Sequence, residues 1–91
     1  MFTWNKREIT YYVTNMMERK HGEKLAPETV EKCLEAFMEF LRVEVLLRGG
    51  KARLWKYGVF KRCERGGWYR VAFKANKNMR IQNDDSSLLD L

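Results

Sequence analysis

The sequence predicts an α+β fold: two N-terminal helices packed on a three-stranded antiparallel meander, with a short C-terminal helix. Three observations predict it. Apolar residues recur at three- and four-residue steps through residues 6–21 and again through 27–47. After Gly50 the period changes to two. Paired glycines, Gly49-Gly50 and Gly66-Gly67, stand where the pattern needs a helix stop and a two-residue strand turn.

The elements follow in order. Asn5 has the short acceptor side chain that caps a helix start, and Ile9, Tyr12 or Val13, Met16 and Met17 then form one apolar stripe of about four turns. Gly22 ends this helix, and Pro27 suits the first turn of the next. Glu28 and Glu31 place negative charge near the second helix's N-terminus, where the dipole favours it. Val30, Cys33/Leu34, Phe37/Met38, Leu41 and Val45 give that helix a wide apolar stripe over about twenty residues, read as core, with Phe40 beside it.

In the period-two region, Ala52 and Leu54 alternate with Arg53 and Trp55. Tyr57-Gly58 is a turn, and the second strand is expected from Phe60. Tyr69, Val71 and Phe73 share one face of the third strand; Arg70, Ala72 and Lys74 share the other. The sheet is therefore apolar on one side and basic on the other. Residues 76–82 read as a short helical turn carrying Lys77 and Arg80. Residues 1–82 are expected to form one domain, and 83–91 an acidic flexible tail.

Charge is segregated along the chain. Residues 1–47 carry a net charge of −1, residues 48–80 carry +10 with Glu64 as their single acid, and residues 81–91 carry −3. A solubilising surface mixes signs, whereas positive charge gathered in one third of a chain is the footprint of a polyanion binder. Two cysteines and one histidine, in no ligand spacing, leave no metal site to propose. With no signal peptide ahead of them, Cys33 and Cys63 read as buried or half-buried thiols of a reducing cytosol. No apolar run is long enough for a membrane span. No nucleophile stands beside a base and no phosphate loop occurs, so a non-enzyme without cofactor or small-molecule substrate is expected. Ninety-one residues with 45% hydrophobic content favour a dimer sharing one core.

Two stretches carry a family resemblance. Leu54-Trp55-Lys56-Tyr57-Gly58-Val59-Phe60-Lys61 resembles the apolar–x–Gly–Phe–Gly–x–Phe turn of the bacterial HU and integration host factor proteins, histone-like architectural DNA binders. Val71-Ala72-Phe73-Lys74-Ala75-Asn76-Lys77-Asn78-Met79-Arg80 resembles that family's Pro-x-Phe-Lys-x-Gly-Lys-x-Leu-Lys run. Asn5-Lys6 also sits where the family often opens its first helix. The resemblance covers roughly residues 5–81 and implies an intertwined dimer. It implies that Phe37, Leu41, Tyr57, Phe60 and Phe73 form the dimer core. It further implies that Lys6, Arg53, Lys56, Lys61, Arg65, Arg70, Lys74, Lys77 and Arg80 meet double-stranded DNA.

There are departures. Lys56 replaces the first glycine of the turn, and Asn76 replaces the glycine before Lys77. The family's long β-arm, tipped by an intercalating proline, is replaced by Glu64-Arg65-Gly66-Gly67. The expected function is a cytoplasmic, nucleoid-associated, armless HU-like dimer. It would bind duplex DNA with low sequence specificity and without arm-mediated kinking, as a homodimer or, in the other arrangement, a heterodimer. Three other readings remain open here. One is an interaction regulator that pairs with an HU-type protein, one a winged-helix domain, and one an RNA binder that stacks bases on Trp55 or Trp68.

Overall fold

The structure is a computed structural model that describes residues 2–82. The acidic tail expected at 83–91 lies outside the described residues. The chain divides into two compact units, Met1–Glu39 and Phe40–Leu91.

In the first unit, α1 spans Lys6–His21 and α2 begins at Pro27 and runs to Phe40. Asn5 caps α1 as expected, and Glu8 completes a capping box. The Asn5 side chain accepts from the Glu8 N–H at 2.9 Å, and the Asn5 N–H donates to the Glu8 carboxylate at 3.2 Å. Gly22 closes the helix in the left-handed conformation, φ 67°, a position that costs a residue with a Cβ. Thr10 and Val30 are buried. The Thr10 hydroxyl is satisfied by the Lys6 carbonyl at 2.8 Å, so its burial leaves no orphan donor.

The second unit opens with a departure from expectation. The second helix is α-helical only to Phe40; Leu41–Leu47 winds as a π-helix, with the Arg48 N–H reaching back five residues to the Val43 carbonyl at 3.1 Å. Leu41 and Val45 remain on its inner side and are buried. Gly49, at φ 74°, and Gly50 stop it, the Gly50 N–H bonding the Glu44 carbonyl at 2.9 Å.

The sheet is the expected antiparallel meander, β1 (Ala52–Leu54), β2 (Gly58–Arg65) and β3 (Trp68–Ala75), in that order. β2 starts two residues earlier than Phe60, because Trp55–Tyr57 alone make the turn and the Tyr57 N–H closes it on the Leu54 carbonyl at 2.9 Å. Gly58 is buried against β3: a Cβ there would lie 2.6 Å from Phe73 Cζ and would strike the Lys74 carbonyl oxygen. The β2–β3 turn is the two-residue connection read from the sequence, with Gly66 at φ 60° and Gly67 at φ 84°.

Three further expectations are corrected. A single 3-10 turn, Lys77–Met79, stands where a longer helical turn is expected over 76–82. Asn76 is held extended by its N–H bond to the Tyr57 carbonyl at 2.8 Å, and Arg80 is extended again, so no helical nucleus can propagate. Cys33 is exposed, one position off the Val30–Leu34–Phe37 line, while Cys63 is half-buried. Met38, read as core, is also largely exposed. No helix among the described residues is long and apolar enough to cross a membrane.

Candidate nucleic-acid interface

Strand alternation sorts the sheet into two unlike faces. The register pairs Phe60 with Phe73, Arg62 with Val71 and Glu64 with Tyr69 on one face. On the other it pairs Val59 with Lys74, Lys61 with Ala72, Cys63 with Arg70 and Arg65 with Trp68; Arg53 of β1 stands across from Val59.

The first face is the inner one. Phe60 and Phe73 pack with ring centroids 4.7 Å apart. The π-helix meets this side of the sheet through Arg62, whose guanidinium donates to the Leu46 carbonyl at 3.3 Å and lies 4.1 Å from the Tyr69 ring centroid. Glu64 is here too. The single acid of residues 48–80 is thus turned away from the opposite face.

That opposite face gathers five of the cations expected to meet DNA: Arg53, Lys61, Arg65, Arg70 and Lys74, all exposed. No strand residue on it is acidic. Each cation stands opposite an uncharged residue: Lys74 and Arg53 by Val59, Lys61 by Ala72, Arg70 by Cys63, Arg65 by Trp68. Like charges directly across a ladder repel, so this checkerboard lets the sheet carry a dense positive face while avoiding the worst pairings. Arg70 is further oriented by its Nε–H donating to Cys63 Sγ at 3.4 Å. Lys51, Arg53, Val59, Lys61 and Lys74 line a depression of about 430 Å³ on this face.

The other residues expected to meet DNA fall elsewhere. Lys56 and Lys77 come together at one end of the sheet, because Asn78 Nδ2 donates to the Lys56 carbonyl at 3.1 Å and the Asn76 N–H to that of Tyr57. Arg80 follows in extended chain and is exposed. Lys6 belongs to the first unit, where its ammonium lies 2.8 Å from Glu31 and 3.5 Å from Glu35. The hydrogen bond to Glu31, with the charges of both carboxylates, raises the Lys6 pKa above its ordinary value of 10.5. A phosphate would have to compete with two carboxylates for this lysine.

Of the expected dimer-core residues, Leu41 is already covered within the chain, Phe37 and Phe60 are half-buried, and Tyr57 and Phe73 remain 37% and 39% exposed.

Two participants, Lys51 and Arg62, were not singled out from sequence, whereas Trp68 was, as a base-stacking candidate. Lys51 shares the parity of Arg53, so period-two counting extends to it. Trp68 shares the parity of Arg70 and Lys74 and falls on their face by the same count. Arg62 shares the parity of Phe60, which marks it as an inward-facing arginine before its partners are known.

Compared with known proteins, the chain matches no family model and no curated protein sequence.

Proposed function

We propose that this protein is an armless, HU-like architectural DNA-binding protein, dimeric and nucleoid-associated in the cytoplasm, acting without catalysis. The observation that carries the reading is the basic sheet face: five exposed cations in a checkerboard, with no strand acid among them. Such a surface attracts phosphate and releases counterions, which yields affinity without sequence readout. Lys56, Lys77 and Arg80 add exposed positive charge at one end of the sheet.

The hairpin supports the absence of kinking. Two residues join β2 to β3, too few to reach round a duplex and wedge its base steps.

Self-association is supported by an imbalance. Among the described residues only Val30, Leu41 and Val45 are buried apolar side chains, while fifteen large apolar side chains are more than a third exposed. So few buried and so many exposed apolar side chains favour a partner that covers some of them. A second copy covering Tyr57, Phe73 and their neighbours fits the reading of these residues as dimer core.

A second reading draws on the first unit. Trp4 and Tyr12 meet edge to face at 5.6 Å and, with Ile9 and Val13, line an apolar depression of about 260 Å³. An interaction regulator that pairs with an HU-type protein would place its partner on such a surface.

The test is a titration of labelled duplex DNA at several salt concentrations, with the mass in solution measured alongside. The reading expects a dimer whose affinity falls steeply with salt. A stable monomer with salt-insensitive or no binding favours the second reading.

A further inference from the structure

We infer that the basic sheet face is also a single-stranded DNA site, with Trp68 stacking on an unpaired base while Arg70, Lys61 and Lys74 follow the phosphates. The inference rests on the proposed role of this face in binding DNA and adds a second form of DNA as its ligand.

Trp68 is the first residue of β3, immediately after the two-residue turn. It shares its face with Arg70 and Lys74 by alternation and stands across from Arg65 by register. It is 79% exposed, so its indole is open to a ligand.

The geometry favours an unpaired base over a paired one. In a duplex the base faces are already stacked, and opening a step costs a few kcal/mol, repaid only where extra protein surface can wrap the bent DNA. A turn closed at Gly66-Gly67 has no such surface to add. An unpaired base presents a free π-face at no unstacking cost, and stacking on an aromatic side chain tolerates any base.

The cations are laid out for one backbone. Same-face residues along a strand recur every two positions, about 6.6 Å apart, a step close to that between phosphates in an extended single strand. From Trp68 to Lys74 the run is roughly 20 Å, with Lys61 across from Ala72 filling the gap in β3's own series. Stacking platform and phosphate track therefore lie in line.

The test uses the full chain and fluorescence anisotropy. The probes are a labelled mixed-sequence single strand of about 20 nucleotides, the blunt duplex of the same sequence, and the single strand with a central abasic run. The Trp68→Ala variant should lose at least about fivefold in affinity for the single strand and stay within about twofold on the duplex, and Trp68→Phe should retain most of the binding. The wild-type chain, which needs no variant to fold, should bind the abasic strand at least about fivefold more weakly than the intact one. Loss of duplex binding with these single-strand effects intact would overturn the proposed duplex function and leave the stacking site standing. The stacking site itself is overturned by no single-strand binding, by equal losses on both probes in Trp68→Ala, or by equal wild-type affinity for intact and abasic strands.

Discussion

The guanidinium of Arg62 lies 4.1 Å from the centre of the Tyr69 ring while donating to the Leu46 carbonyl, on the sheet face opposite Lys61 and Arg70. A basic residue in the most positive third of the chain is thus a brace between the sheet and the π-helix. Net charge overstates the charge offered to a polyanion: Arg62 is used internally, and Arg48 pairs with Glu44 at 3.1 Å.

Arg62→Ala should therefore lower stability by about 1–2 kcal/mol, because the Tyr69 ring loses its cation and the Leu46 carbonyl its donor. It should leave the salt dependence of DNA binding unchanged. Denaturant unfolding and a salt titration on the same variant check both halves.

The Lys61→Ala, Lys74→Ala double variant should do the reverse. Both side chains are exposed on the basic face, so stability should stay within about 0.5 kcal/mol of wild type. The slope of log affinity against log salt should fall in magnitude by about one for each phosphate no longer engaged. An unchanged slope would place DNA on another surface.

Gly58→Ala should destabilise by about 1–3 kcal/mol, because the new methyl meets Phe73 and the Lys74 carbonyl with no room to relax. Trp55→Gly tests the neighbouring turn in the opposite direction. Trp55 holds φ at 41°, a conformation that is strained for a residue with a Cβ. Replacing it should raise stability by about 1 kcal/mol, read from the denaturant midpoint.

Lys6 yields a pH prediction with a definite sign. Its folded pKa lies above the unfolded value, so its pairing with Glu31 and Glu35 stabilises the fold below the ordinary lysine pKa of 10.5. That contribution is lost as pH rises through the higher folded value. The stability difference between wild type and Lys6→Gln should be small at neutral pH, as for any exposed pair, and should vanish in strong alkali. Thermal melts of both proteins across this range check it. Because Lys6 is already engaged, Lys6→Ala should change the salt slope of DNA binding less than Lys61→Ala does.

Much of this was legible in the sequence, for local reasons. Asn5, Gly22, Pro27 and the two glycine pairs each mark a backbone conformation that few other residues serve, so the element order and most boundaries could be read directly. Period-two alternation likewise carried Arg53, Lys61, Arg70 and Lys74 to one face. The π-helix was not legible, because Leu41 and Val45 fit an α-helical stripe equally well and the wider winding is defined only by its hydrogen bonds. The partners of Lys6 and Arg62 depend on tertiary packing that no local pattern carries. The short 3-10 turn was overread as a helix because the bonds from Asn76 and Asn78 back to residues 56–57 join positions about twenty apart in the chain.

The proposed dimer, in which a second copy covers the exposed aromatics, makes folding and association one equilibrium. The unfolding midpoint should rise with protein concentration, as for any fold completed by a second copy. A midpoint independent of concentration over a hundredfold range, roughly, would show that each chain folds alone.

The central claim, a basic sheet face that holds duplex DNA without bending it, is tested most directly by energy transfer between dyes at the two ends of a duplex of about 30 base pairs, titrated with protein at several salt concentrations. The account predicts saturable binding that weakens steeply between about 50 and 200 mM salt, with the end-to-end transfer unchanged on saturation. Salt-insensitive binding, or a sharp rise in transfer as the protein saturates the duplex, would contradict it.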